Sequence, residues 1–197
     1  MVNIAAEVRA ANTARKLLVI FIFIAAAVHL CAAGALGAER WKSRATRYST
    51  IYYPFDDVLL EFGAKIGGNP FLKRDLDAAF KSIGEDVDRI TLRVETLLDM
   101  YPPDLRFSIY IYRTYAEIKY VYREMGFSGD APIAFYLYRA RSIYLSFDGL
   151  SDRVLAHEMA HAVINLYYTT APPAEMQEVL AQYVDKHLWD ELTRKVR

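Results

Sequence analysis

The chain has 197 residues with 24 basic and 24 acidic side chains, so its formal net charge at pH 7 is zero. This balance gives no basic surface of the kind that nucleic acid requires, and no nucleic-acid partner is expected. A single cysteine, Cys31, excludes a disulfide within one chain, so stability must come from the packing of an apolar core.

The N-terminal segment contains basic residues followed by a long apolar run. Three basic residues, Arg9, Arg15 and Lys16, precede an apolar run from residue 17 to residue 38. A charged region, an apolar region and then small residues are typical of an export signal. The run is also long enough to cross a bilayer as an uncleaved anchor. Both interpretations place the rest of the chain outside the cytoplasm, either secreted or periplasmic, or attached to the membrane through residues 17–38.

Three regions are therefore predicted. Residues 1–38 form the signal peptide or N-terminal membrane anchor, residues 39–47 form a basic linker, and residues 48–197 form one globular domain. A domain of about 150 residues is of common size and long enough to bury a core of its own. Neither an internal repeat nor a low-complexity tract divides it further.

Within the domain, apolar periodicity predicts a mixture of strands and helices. Predicted strands cover residues 50–54, 106–112, 133–138 and 142–147, and predicted helices cover residues 56–65, 75–100 and 115–125, followed by two final helices. The strands at 133–138 and 142–147 form a hairpin around Arg139 and Ala140. The fold class is α+β, with a small mixed sheet packed against helices.

The long helix at 75–100 carries apolar residues at heptad-like spacing. Because only about three heptads are present, packing of one amphipathic helix on the sheet is favoured over a coiled coil. The alternative is a membrane-tethered interaction protein that uses this helix as its partner surface. Charged residues at Ile83 and Ile90 would then abolish the interaction.

The chemistry of the chain is concentrated in the H-E-x-x-H motif of His157, Glu158 and His161. Residues four apart lie on the same face of a helix, so two imidazoles at this spacing reach one metal ion. Neutral imidazole is the usual nitrogen ligand of Zn²⁺. A carboxylate after the first histidine can act as the base for a water molecule. The alternative is a chance occurrence of the motif on a surface helix.

The surroundings of the motif favour a well-formed helix. Ser151 or Asp152 can cap its N-terminus. Its predicted buried stripe consists of Leu155, Met159, Ala162 and Leu166. The two histidines lie beside this stripe rather than within it, where the wall of a cleft is expected.

A third protein ligand is expected on the following helix, because no histidine stands six residues after the motif. Pro172 and Pro173 precede that helix, in which Glu175, Glu178 and Gln182 share one face. Its inward stripe is predicted to contain Met176, Leu180, Tyr183, Val184 and Leu188. On spacing alone, both Glu175 and Glu178 are candidate ligands.

The two motifs together resemble the gluzincin metallopeptidases, the peptidase MA-like group. The resemblance rests on His157 to His161 and on the sequence from Glu178 to Val184, and it extends over residues 48–187. It implies a zincin-like fold, Zn²⁺ bound by His157, His161 and Glu178, and peptide or protein substrates. It also implies peptide-bond hydrolysis, with a zinc-activated water and Glu158 as the general base.

Three positions depart from the family pattern. Val179 stands where glycine is usual, Gln177 where asparagine often precedes the ligand, and Gln182 where an acidic residue often bonds the first histidine. The Gln182 carbonyl could accept a hydrogen bond from an imidazole, but without negative charge, so zinc affinity or turnover is expected to be lower. A zinc-binding pseudopeptidase without catalytic activity is the resulting alternative.

Two further features of the resemblance concern the substrate. The family often stabilises the oxyanion with a histidine or tyrosine, and Tyr167, Tyr168 and Tyr183 are candidates that the sequence does not separate. The strand at 142–147 precedes the motif helix and is expected to be the sheet edge over the cleft. An extended substrate would pair with that edge.

Overall fold

The computed structural model describes residues 41–67 and 75–190. In this part of the chain five strands are found: β1 (Lys42–Ala45), β2 (Ser49–Tyr53), β3 (Phe107–Tyr112), β4 (Ala134–Leu137) and β5 (Ser142–Ser146). Five α-helices accompany them: α1 (Asp56–Lys65), α2 (Leu76–Leu98), α3 (Tyr115–Glu124), α4 (Asp152–Tyr167) and α5 (Ala174–His187). The predicted signal or anchor at 1–38 lies outside the described residues. None of the helices described is long and apolar enough to cross a membrane.

The strands form one mixed sheet in the order β1-β2-β3-β5-β4. The central strands β2, β3 and β5 run parallel, whereas β1 and β4 pair antiparallel at the two ends. The predicted class, α+β with a small mixed sheet, is therefore confirmed.

Strand β1 lies within the segment 39–47 that was expected to be a linker. Its four residues are all exposed, yet they pair with β2, with Lys42 opposite Tyr53 and Ala45 opposite Thr50. An exposed edge strand has no buried face and hence no alternation of apolar residues that sequence could reveal, and charged side chains are common at such edges.

The core lies on one face of the sheet. Ile51, Ile109 and Ile143 occupy matching positions on the parallel strands, are essentially buried, and pack in one apolar cluster with α2 and α4. Helix α2 begins after Asp75, whose side chain accepts a hydrogen bond from the Ala78 N–H, and ends at Asp99 in the left-handed region.

Ile83 and Ile90 of α2 are buried in this core, with 1% and 0% of their surface exposed. The alternative in which these two residues form a partner surface is therefore wrong. A charge at either position would disrupt the core itself, because no compensating partner surrounds it.

The hairpin predicted around Arg139 and Ala140 is confirmed, with β4 and β5 antiparallel and a short 3₁₀ turn at Tyr138–Ala140 between them. The expectation that the second strand forms the edge is wrong. Strand β5 lies between β3 and β4, and all five of its residues are buried. The edge strand is β4, because the chain crosses from β3 through α3 to the outside before it returns.

Candidate metal centre

Helix α4 fixes the two histidines. Its N-cap is Ser151, whose side chain accepts a hydrogen bond from the Val154 N–H, as the sequence allowed. The predicted stripe faces the core, where Leu155, Met159 and Ala162 are completely buried. His157 and His161 lie beside it, half-buried, with ring centroids 5.1 Å apart. The packing of the stripe therefore sets the direction of both imidazoles.

Helix α5 brings the third group to this pair. The distance from His157 Nε2 to Glu178 Oε1 is 3.6 Å, and from His161 Nε2 to Glu178 Oε2 it is 3.7 Å. One ligand atom from each of the three residues lies within 4.8 Å of the others, an arrangement that could hold a metal ion. Glu175 is not part of this group, so of the two candidate ligands the structure brings Glu178 to the histidines.

The donor set fits zinc chemistry. Ligand atoms at 2.0–2.1 Å in a tetrahedral site are separated by about 3.4 Å, close to the His–Glu distances above. Burial lowers the pKa of His161, and the neighbouring His157 lowers it further. A neutral imidazole keeps the lone pair that a metal ion requires. Two nitrogens and one carboxylate leave room for a fourth ligand, as in catalytic rather than structural zinc sites.

Glu158 lies beside the metal-binding group, with only 8% of its surface exposed. Burial raises the pKa of its carboxyl to about 8, and the negative charge of Glu178 acts in the same direction. A backbone hydrogen bond from Tyr136 opposes this rise in pKa. A divalent cation bound next to it would lower the pKa of Glu158 towards the ordinary carboxyl range. The Glu158 carboxyl therefore holds its proton in the metal-free site and would release it when a cation is bound.

The metal-binding group opens into a cleft of about 640 Å³ between β4 and the helices α4 and α5. Aromatic residues of the edge strand and the turn after it line the cleft: Phe135, Tyr136 and Tyr138. The Tyr136 hydroxyl donates to Asn165 Oδ1 over 3.0 Å. Burial raises the pKa of Tyr136 to about 12, so this hydroxyl keeps its proton.

Sequence reasoning missed these cleft residues. The tyrosines proposed instead, Tyr167, Tyr168 and Tyr183, are exposed and are not part of the cleft lining. The alternation of the predicted strand at 133–138 was the available signal, because it places residue 136 on the core face. The alternation alone could not identify Tyr136 as a cleft residue, because the position of this strand in the sheet was unknown.

Helix α5 is rotated relative to its predicted orientation. Met176 and Tyr183 were expected to pack inward, but they are 53% and 41% exposed. Val184 and, beyond the helix, Leu188 are buried as predicted, and Ala181, which was not in the predicted stripe, is buried as well. A small side chain such as Ala181 lets two helices approach closely, which turns Glu178 towards α4.

The positions that depart from the family pattern have distinct environments. The Gln177 side-chain amide donates to the carbonyl of Pro172 over 2.7 Å, which fixes the loop before α5. Val179 points to solvent with 65% exposure. Gln182 donates to Glu178 Oε1 over 3.0 Å, so its amide orients the carboxylate ligand. The expectation that Gln182 accepts from an imidazole is not met.

Arginines hold the C-terminal end of α5. Arg153 of α4 donates to the carbonyls of Asp185 and Lys186 over 3.1 and 3.3 Å. Arg93 of α2 donates to the carbonyls of Leu188 and Asp190 over 2.8 and 2.6 Å. These bonds satisfy carbonyls that a helix end leaves without partners. The C-terminal end of α5 is therefore held by hydrogen bonds from both α2 and α4.

Comparison of the chain with protein-family models, with curated proteins and with solved structures finds no match in any of the three. The resemblance to the gluzincin peptidases thus stays a prediction carried by the two motifs. What this chain does is inferred from the side chains that meet in the cleft and from the chemistry that they can perform.

Proposed function

We propose that this chain is a zinc-dependent metallopeptidase with a zincin-like arrangement, and that it hydrolyses peptide bonds outside the cytoplasm. The observation that carries the proposal is the group of His157, His161 and Glu178, which lies beside the buried carboxyl of Glu158 in an open cleft. A structural zinc site closes all four positions, whereas this one has three protein ligands and faces solvent.

Each residue has a separate task in the proposed reaction. His157, His161 and Glu178 would hold the metal. A zinc ion bound there supplies Lewis-acid chemistry, which polarises a carbonyl and makes water more acidic. Glu158 accepts a proton from the attacking water and passes it to the leaving amine. Its position beside the metal-binding group supports this role, because a cation bound there would keep Glu158 as the carboxylate that can accept a proton.

The substrate is proposed to bind as an extended peptide along β4. This strand ends the sheet, and no further strand of the described residues pairs with its outer side. An extended chain can add to such an edge through main-chain hydrogen bonds, with alternate side chains entering pockets. The aromatic lining at Tyr136 and Tyr138 favours apolar substrate side chains over charged ones.

A zinc-binding protein without catalytic activity is the second candidate. It is favoured by Gln182, which donates to Glu178 and so takes part of the negative charge that a zinc ligand offers. The second candidate binds zinc but has no hydrolytic activity. Measurements of zinc content and of peptide turnover therefore distinguish the two candidates.

The test uses the full chain, purified in detergent without chelators or a histidine tag. Zinc content is measured by elemental analysis, and cleavage is measured with a mixture of quenched fluorescent peptides. We expect about one zinc per chain, lost in His157→Ala and Glu178→Ala but kept in the matched variant Glu175→Ala. Cleavage that stops in Glu158→Gln supports the peptidase. A folded protein with zinc and no cleavage supports the second candidate, and a folded protein without zinc contradicts both.

A further inference from the structure

The face of the sheet opposite the core carries a row of aromatic rings. Tyr52 lies opposite Tyr110, Tyr110 opposite Tyr144, and Tyr144 opposite Phe135, so one ring comes from each of four adjacent strands. Neighbouring rings in this aromatic row are stacked, with centroids 4.7, 5.0 and 5.1 Å apart. Because the faces of Tyr110 and Tyr144 are covered by neighbouring rings on both sides, most of the row is not built to stack on a sugar or a nucleic-acid base.

The chain enters the described domain at this row. Trp41 contacts Tyr110 and Tyr112 edge-on, with centroid distances of 5.8 and 5.2 Å. The apolar run of residues 17–38 ends three positions before Trp41 in the sequence. Trp41, Tyr52, Tyr110 and Tyr112 are all partly exposed. Tryptophan and tyrosine with one end in contact with solvent are the residues enriched at membrane–water interfaces.

A groove runs beside the aromatic row. The residues two positions earlier on the same strands are small, with Ala45 opposite Thr50, Thr50 opposite Ser108, and Ser108 opposite Ser142. Arg106 and Arg141 flank three of these residues in a cavity of about 440 Å³, here called the basic groove. The described residues that line the basic groove include no aspartate or glutamate.

The backbone of Arg141 and the side chain of Arg106 are held in place by hydrogen bonds. The Arg141 N–H donates to the Tyr138 carbonyl over 3.1 Å, and its own carbonyl accepts from the Ser108 N–H over 2.9 Å. Its φ of 48° lies in the left-handed region, which glycine adopts more easily than arginine. The Arg106 guanidinium donates to the carbonyl of Arg47. Two arginine side chains with hydroxyl groups between them match the oxygens of a phosphate.

We propose that this face docks on a bilayer that contains anionic phospholipids, with a headgroup phosphate in the basic groove and with Trp41, Tyr52 and Tyr110 at the level of the headgroups. Charge supports this occupant, because arginines near an anionic leaflet are attracted to it. The position of the apolar run in the sequence supports it too, because a membrane segment that ends three residues before Trp41 would keep the described domain close to a bilayer.

The experiment places a nitroxide probe on the full chain in lipid vesicles. Cys31 is replaced by alanine, and the probe is attached at position 45 through Ala45→Cys, an exposed site that lines the basic groove. A second preparation carries the probe at position 81 of α2 through Lys81→Cys, on the side of the helices. Access of each probe to a water-soluble relaxation agent is compared in phosphatidylcholine vesicles with and without phosphatidylglycerol.

We expect phosphatidylglycerol to protect position 45 and to leave position 81 unchanged. Removal of one arginine, in Arg106→Gln or Arg141→Gly, is expected to lower the docking equilibrium constant about fivefold. Arg141→Gly suits the left-handed backbone, so it removes the charge without disturbing the turn. Lys81→Gln, combined with the probe at position 45, is the matched control and should not change docking.

Three outcomes would overturn the proposal. The first is equal access at position 45 in both kinds of vesicle. The second is the same loss of protection in Lys81→Gln as in Arg141→Gly, which would indicate a general effect of charge. The third is protection of position 45 by inorganic phosphate in neutral vesicles, with no added effect of anionic lipid. The basic groove would then be a site for a soluble anion rather than a contact with a membrane.

Discussion

The two helices that supply the metal ligands differ in how firmly they are held. Helix α4 is buried along most of its length, with eight of its sixteen residues in the core. Helix α5 has two buried residues among fourteen, and Met176, Val179 and Tyr183 face solvent. The histidine pair therefore belongs to the rigid part of the fold, whereas Glu178 belongs to an outer helix.

Because of this difference, the three residues of one site are positioned by different kinds of contact. The positions of His157 and His161 are determined by the same packing that stabilises the domain. The position of Glu178 depends on a few local contacts: the approach of Ala181 and the bonds made by Gln177 and Gln182. Substitutions in α4 should therefore change stability first, and substitutions in α5 should change metal binding first.

The largest expected effect concerns Glu158, which is proposed to act as the base and is not one of the three candidate metal ligands. Glu158→Gln should lower peptidase turnover by about 10²–10⁴-fold, which is the usual contribution of a general base. Zinc content should stay near that of the unchanged chain, because all three ligands remain. Kinetics with a cleaved peptide and elemental analysis of the same sample would test this. A simultaneous loss of zinc would assign Glu158 a structural role.

The second prediction contrasts the stability of the two helices. Met159→Ala in α4 removes a completely buried side chain and should cost about 2–5 kcal/mol of unfolding free energy. Tyr183→Ala in α5 removes an exposed side chain and should change it by less than about 0.5 kcal/mol. Urea denaturation of the metal-free protein gives both values. Equal costs would show that α5 is packed as firmly as α4.

The third prediction concerns the contact between the helices. Ala181 is completely buried, so Ala181→Val should overpack the crossing and cost about 1–3 kcal/mol. The added volume also pushes α5 away from the histidines, and zinc affinity should fall with it. Competition against a chelator measures the affinity. The control is Val179→Ala at an exposed position, where both stability and zinc affinity should be unchanged.

A smaller effect is expected at Gln182, which orients Glu178 through a hydrogen bond of 3.0 Å. Gln182→Ala removes that bond and should weaken zinc binding by about tenfold, the lower end of the range for residues behind the ligands. Stability without metal should be unaffected, because Gln182 is exposed. An unchanged zinc affinity would mean that the bond does not position the carboxylate.

The smallest effect concerns the dependence of stability on pH, through a buried glutamate of α2. Burial raises the pKa of Glu95 in α2, while Arg47 opposes the rise. The folded protein therefore holds this proton at pH values where the unfolded chain has released it, and stability should fall as the pH rises above the ordinary carboxyl pKa of 4.5. Denaturation of the metal-free protein at several pH values measures the slope. Glu95→Gln should make it shallower, and an unchanged slope would assign the effect to other groups.

Local patterns were enough to predict most of the helices and the histidine pair. The i, i+4 spacing of His157 and His161, the cap at Ser151 and the stripe through Met159 all act within one helix, so no tertiary information was needed. Helix α1 was predicted at residues 56–65, and the structure places it at Asp56–Lys65. The hairpin of β4 and β5 likewise depends on neighbouring residues.

What the sequence could not predict depends on contacts between distant segments. The orientation of α5 is set by the packing of the small residue Ala181 against α4. The larger side chains of Met176 and Tyr183 had predicted a different buried face. The order β3-β5-β4 depends on where the chain crosses the sheet, so the cleft tyrosine at 136 could not be distinguished from many others. Strand β1 is exposed at all four residues, so its sequence has no alternation of apolar side chains that would predict a strand.

The arginine contacts at the end of α5 have a consequence for rates. Arg93 and Arg153 secure the last turn, whereas Glu178 lies in the second turn of a helix that is mostly exposed. Release of a bound ion should therefore proceed through opening of the first turns of α5 about a fixed end. Amide hydrogens at 177–181 should exchange quickly in the metal-free protein and much more slowly with zinc, while those of α4 change little. The lifetime of the bound metal would then be set by the opening of α5.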